Sequence, residues 1–263
     1  KSYAASIYHL NYDSTYFRSG VQNYPYGEMA FFADCQPMIT IPVKMMARIG
    51  IDLSPYVVGM INLSMLFSIV LAVLFIYLIF TELKISWWFA AFASVGITML
   101  SPQVGRLGGH FSLSHLMWLP MLIWLLMKFD QNKSYWLSAV IGLLTFLAAG
   151  MHMYFFALFG FLFLFYWAFT LYTGQMKLRD YRWALYLFIQ FILPLVLVQL
   201  LTGLNDTVTD RTTHPWGFFT FKANPVTIFL PIHKPYATFL KQIGIRYDYE
   251  WEAFAFIGLV SLI

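Results

Sequence analysis

The sequence predicts an all-α membrane protein: a polytopic transmembrane bundle of about six complete spans plus a truncated one, with two extracytoplasmic loop segments. Three observations predict it. Of the 263 residues, 60% are hydrophobic and 11% charged, against about 25% charged in an ordinary soluble domain. Apolar runs near or above about 18 residues recur with almost no charge inside them, the length a helix needs to cross hydrocarbon. The Lys and Arg residues behind the net charge of +4 are scattered through connections. They form no dense basic stripe, which argues against a nucleic-acid partner and makes the charge a topological signal.

Residues 1–56 hold several prolines, many aromatics and the acids Asp13, Glu28, Asp34 and Asp52, with no spanning run, so they read as an acidic loop segment with short helices. Val57 to Phe80 carries no formal charge and gives the first span, about 36 Å at about 1.5 Å per residue. Trp87 to Leu100 is a shorter crossing that opens on an interfacial Trp pair. Ser101 to Gly109, with Pro, Arg and three glycines, breaks the chain before Phe111 to Met127, a third crossing with Pro120 as its kink. Tyr135 to Tyr172 is too long for one helix and divides near Gly150 into two antiparallel crossings. Trp183 to Leu204 is the sixth, with Pro194 inside it. A second polar segment, 205–250, precedes an apolar run over 251–263 that reads as the start of a further span. The bundle is therefore expected over 57–204. Both termini read as cut, which leaves room for one spanning helix ahead of Lys1. The single cysteine, Cys35, has no disulfide partner or metal-ligand spacing and reads as a small apolar residue.

Alternation of the spans puts the connections at 81–86, 128–134 and 173–182 on one side. These short loops hold Lys84, Lys128, Lys133, Lys177, Arg179 and Arg182, whereas the short loops of the other side hold only Arg106. By the positive-inside rule the first set is cytoplasmic, and 1–56 and 205–250 lie outside a cell membrane, bacterial inner membrane by expectation. The candidate chemistry then falls on the outer side. Asp13 and Asp34 stand among aromatics and turn residues, where a carboxylate suits a general base on an acceptor hydroxyl or a ligand for a divalent cation. Arg106-Leu107-Gly108-Gly109-His110 offers a cation, exposed backbone N–H groups and an imidazole, a set that suits a phosphate. Glu28, His152, His214 and Glu252 are further pocket candidates, and His115 reads as packing.

In order and placement these pieces resemble the GT-C class of membrane glycosyltransferases, and more narrowly the YfhO-like bacterial membrane proteins. The resemblance rests on Asp13, Tyr24-Pro25-Tyr26-Gly27-Glu28 and Asp34-Cys35-Gln36-Pro37 in the first outer loop. Gly109-His110 leading into Leu119-Pro120, then Gly150-Met151-His152, then Glu252 before Phe256-Ile257-Gly258 complete it. It implies transfer of a sugar from a polyprenyl-phosphate donor on the outer face, with Asp13 the leading base, Asp34 the second acid, and membrane lipid and a lipid-linked sugar donor as partners. No Asp-x-Asp or Glu-x-Asp pair marks a metal site, so the cofactor stays open, a divalent cation being one option. Two other classes fit the same sequence: a transporter or flippase of lipid-linked envelope precursors, and a non-catalytic envelope assembly protein. The first would place polar residues at mid-membrane, and the second would scatter them.

Overall fold

The computed structural model describes residues 2–175, 180–206, 208, 212–213, 225–231 and 234–247. It is mostly helical and divides into two units, Lys1–Thr207 and Val208–Ile263.

In the first unit, α1 (Ser2–Asn11) leads to a two-stranded antiparallel hairpin, β1 (Arg18–Ser19) and β2 (Glu28–Met29), in which Arg18 faces Met29 and Ser19 faces Glu28. Helix α2 (Pro37–Arg48) follows, with Pro37 in its first turn, where the missing N–H costs nothing. Helices α3 (Val57–Glu82) and α4 (Trp87–Leu100) form the next pair. Ser68, Ser94 and Thr98 are buried on them, and the hydroxyls of Ser94 and Thr98 donate to carbonyls of their own helix, so neither is buried unpaired. After the short helix α5 (Pro102–Gly105) come α6 (Trp118–Gln131), α7 (Tyr135–Met151) and α8 (Met153–Tyr172), then α9 (Tyr181–Leu187) and α10 (Leu193–Asn205), joined by a π-turn over Phe188–Ile192.

Among the described residues three helices are long and apolar enough to cross a membrane, Ser54–Glu82, Met153–Tyr172 and Tyr181–Asn205, while Trp87–Leu100 and Tyr135–Met151 are shorter apolar helices. Helix α8 shows the character of these faces. It buries Phe155, Phe159, Phe163 and Trp167 at every fourth position against Trp118, Leu122 and Phe129 of α6 and Ile141 of α7, yet leaves Phe161, Leu164, Phe165 and Phe169 exposed. An aromatic face of that extent is unfavourable in water and neutral in hydrocarbon.

The third crossing departs from the sequence expectation. A helix over Phe111–Met127 is replaced by a 3-10 turn at Phe111–Ser114 and a helix that starts only at Trp118. In a helix running through this region the Pro120 ring would strike the carbonyl of Leu116; starting at Trp118 leaves Pro120 in the first turn, where it is tolerated. The irregular backbone is satisfied from α3: Ser68 Oγ accepts from the Met117 N–H at 3.0 Å, and the buried His115 Nε2 lies 3.1 Å from Ser64 Oγ. Pro194 acts in a related way. A regular helix would drive its ring into the carbonyl of Gln190, and the wider π-turn releases that contact and restarts the helix with Pro194 in the first turn.

That π-turn packs against α7 at Gly142, where a Cβ would sit 2.3 Å from the Ile189 carbonyl oxygen. Gln190 Nε2 donates to Ser138 Oγ one turn earlier at 3.1 Å. Gly142→Ala should therefore force the backbones apart and cost roughly 2–3 kcal/mol, read as a lower melting temperature of the purified protein. A variant that melts with the wild type would mean that this contact does not hold α7 to the π-turn.

One end of the helices gathers charge. Lys128 and Gln131 of α6 both bond Glu82 at the end of α3, Lys133 pairs with Asp130 at 2.6 Å, and the Lys133 ammonium lies over the rings of Phe129 and Trp183. Lys177 and Arg179, expected on this side, fall outside the described residues. In the second unit the described residues form α11 (Val226–Phe229) and α12 (Tyr236–Gln242), and Tyr247 donates its hydroxyl to the Pro231 carbonyl. His214 and Glu252 lie outside the described residues.

Candidate functional site

The loop from β2 to α2 is fixed from beneath by α1. Ala5 of α1 packs on Ala30, Ala33 and Cys35, all fully buried, and Ser6 Oγ donates to the Cys35 carbonyl at 3.1 Å. Burial pushes the Cys35 thiol up to about 11, so this cysteine is an inert packing group. With Cys35 held inward, its neighbours adopt the left-handed conformation, Asp34 at φ +57° and Gln36 at φ +49°. Such backbone is unfavourable for a residue with a Cβ and persists only where the surroundings impose it, which is common at functional positions.

Asp34 and Gln36 line a cavity of about 400 Å³ whose other walls come from distant parts of the chain, His110 and Ser112 after the glycine loop and Met151 to Tyr154 at the break between α7 and α8. The Asp34 carboxylate accepts from Ser2 Oγ on one oxygen and from Ser112 Oγ on the other at 3.2 Å. A carboxylate oxygen accepts about two hydrogen bonds, so both oxygens keep acceptor capacity.

His152 caps α8: its Nδ1 accepts from the Tyr154 N–H at 3.1 Å. The neutral ring therefore carries its proton on Nε2. Burial holds this imidazole below its ordinary value of 6.5, with the Asp34 charge opposing the shift and His110 adding to it, so at neutral pH it is an uncharged donor. Gln36 is 1% exposed, and neither its Oε1 nor its Nε2 has a hydrogen-bond partner. Aromatic wall is supplied by Phe31, Phe32 and Tyr154.

The cavity thus brings together Asp34, His110 and His152 from the residues the sequence singled out. It does not include Asp13, Glu28 or Arg106. Asp13 is drawn beneath the hairpin instead, where one oxygen pairs with His9 Nδ1 at 2.8 Å and the other accepts from the Gly20 N–H at 2.9 Å. Burial holds the His9 imidazole low, the Asp13 hydrogen bond opposing it. Nearby, the buried Lys44 ammonium donates to the carbonyls of His9 and Thr15 at 2.8 and 2.7 Å. The physical reason is local: Asp13 follows His9 by one helical turn, so the end of α1 captures it before it can reach the loop surface. Glu28 is buried in β2 and accepts from Asn23 Nδ2 at 2.8 Å, holding the hairpin turn. Arg106 opens the 3-10 turn Arg106–Gly108, four residues before His110.

Gln36, Ser112 and Tyr154 were not ranked by the sequence reading. Gln36 alone had a signal there, as a polar residue wedged between a buried cysteine and the proline that starts a helix. Among the described residues no three His, Cys, Asp or Glu side chains are grouped closely enough to hold a metal ion.

The family described as Domain of unknown function (DUF6311) matches residues 13–263, and the chain belongs to it. No curated protein and no solved structure matches it.

Proposed function

We propose that this member of the DUF6311 family is a membrane glycosyltransferase of GT-C type, akin to the YfhO-like proteins, that takes a sugar from a polyprenyl-phosphate donor on the extracytoplasmic face. The observation that carries the reading is that Asp34, His110 and His152 arrive from three separate segments at one cavity. The cavity stands at the α7–α8 break, the opposite end of α7 from the Glu82, Lys128 and Lys133 cluster.

In this reading the Asp34 carboxylate takes the proton of an acceptor hydroxyl. The acceptor oxygen bonds to the anomeric carbon as the bond from that carbon to the phosphate oxygen breaks, and polyprenyl phosphate leaves with the bonding pair. His110 and, from the same loop, Arg106 attend the donor phosphate, where developing negative charge rewards a fixed donor. His152 donates from Nε2 to the acceptor. The test is transfer itself: full-length protein in proteoliposomes with a polyprenyl-phosphate-linked sugar should release polyprenyl phosphate in step with glycosylated acceptor. No release across donors carrying hexoses, N-acetylhexosamines and pentoses would end the proposal.

The same proposal counts six spans over 57–204 and sets the lysine-rich end in the cytoplasm. A single reporter cysteine at Asn23 should then be labelled by an impermeant maleimide added to intact cells, and one at Lys177 only after lysis. The reverse pattern would invert the orientation and remove the cavity from the outer face.

A further inference from the structure

The Asp34 carboxylate lacks what several other carboxylates of the first unit have. Glu82 pairs with Lys128, Asp130 with Lys133 and Asp180 with Arg182. Asp34 is half-buried, yet its partners are the hydroxyls of Ser2 and Ser112, and among the described residues no cation stands within ion-pairing distance of it. A hydroxyl bonds a carboxylate without neutralising it. A charge partly withdrawn from water and left without a counter-charge destabilises the protein that carries it.

The cavity sharpens the imbalance. The described residues that line it include the Asp34 carboxylate and no Lys or Arg, and burial keeps His152 neutral. In the transferase reading the donor phosphate enters beside His110, so a second negative charge joins the first. A cation brought by the ligand would answer both. A metal ion is poorly served, because among the described residues no three His, Cys, Asp or Glu side chains are grouped to hold one. An ammonium needs less: one carboxylate to accept from its N–H groups, and aromatic surface, which attracts a cation. Phe31, Phe32 and Tyr154 supply that surface. Both carboxylate oxygens keep acceptor capacity beyond the serine bonds, so one can take the ammonium while the other serves a neighbouring hydroxyl.

We propose that the cavity is an ammonium site, in which Asp34 binds the protonated primary amine of a ligand that carries a hydroxyl on the next carbon. Amino sugars and ethanolamine headgroups share that grouping. The proposal rests on the transferase reading only in making this ligand the acceptor; the binding it describes is independent of transfer.

The experiment uses the purified full-length protein in detergent at about pH 6.5, below the range in which such amines lose their proton. The probes are methyl glucosaminide and ethanolamine, each set against the counterpart with hydroxyl in place of amine, methyl glucoside and ethylene glycol, by saturation-transfer NMR and titration. At least one amine should bind about tenfold or more tighter than its counterpart, the contribution of a charge-assisted hydrogen bond. Which amine does so identifies the source, sugar or headgroup. Asp34→Asn should erase the preference. Tyr154→Leu, at a side chain 64% exposed beside the cavity, should weaken the amine about threefold and leave the neutral probe unchanged.

Equal binding of amines and counterparts, or no binding of either amine, would overturn the proposal. So would a preference that survives Asp34→Asn, or displacement of the amine by equimolar magnesium or zinc, which would make this a metal site. If the amine preference behaves as stated while no transfer is seen, the transferase reading fails and the ammonium site stands. If transfer proceeds and the amine preference is absent, the reverse holds.

Discussion

Asp34→Asn is expected to reduce sugar transfer by a factor of about 10² to 10⁴, the range over which a positioned general base accelerates proton removal. The substitution keeps the shape of the side chain. It also keeps the fold, for reasons visible at the site: asparagine tolerates the left-handed backbone at φ +57°, and the two partners of the carboxylate are serine hydroxyls. A hydroxyl donates or accepts by rotating, so one serine keeps donating to the amide oxygen and the other accepts from the amide nitrogen. What is lost is the capacity to take a proton. The measurement is the initial rate of polyprenyl phosphate release in proteoliposomes, set against the melting temperature of the same preparation. A rate within a few-fold of the wild type, at equal melting temperature, would remove Asp34 from the base role.

The helices were legible in the sequence because their signal is long. A run such as Val57 to Phe80 declares itself through tens of apolar side chains at once, and the break at Gly150 to His152 was placed within a residue or two of where α7 ends and α8 begins. The interruption at Phe111 to Met117 was not legible. What decides it is a clash between one proline and a carbonyl four residues back, together with serine partners on α3 that lie about fifty residues away in sequence. Site residues behaved in the same manner. His152 was found because a polar ring at the end of an apolar run is rare and its position is set by the helix end itself. Asp34 was found as an acid, but ranked below Asp13, because sequence spacing does not show which carboxylate a nearby histidine and backbone amide will capture. The hairpin of β1 and β2 was missed for a related reason: with two residues in each strand there is no alternation to read.

The ranking of those two acids leads to the opposite expectation for Asp13. Its carboxylate is 11% exposed and is committed on both oxygens, to His9 Nδ1 and to the Gly20 N–H. Asp13→Ala leaves the Gly20 amide and a fully buried imidazole without their acceptor. It also withdraws the negative charge that offsets burial of the Lys44 ammonium. Losses of this kind, a buried polar cluster stripped of its charged member, cost about 3–5 kcal/mol, so the variant should melt well below the wild type and accumulate poorly in membranes. The protein that does fold should still transfer sugar at near the wild-type rate per mole, since Asp13 does not line the cavity that holds Asp34, His110 and His152. Asp13→Asn should fall between, because its amide oxygen can still accept from the Gly20 N–H. The assignment turns on which quantity moves. Should Asp13→Ala keep its melting temperature and lose transfer, Asp13 would be the base after all, and the cluster with His9 would have to open during the reaction to release it. Should stability fall and the rate per folded molecule persist, the segment between α1 and α2 holds two acids with separate tasks: Asp13 fixes the loop to α1, and that anchoring positions Asp34 at the cavity.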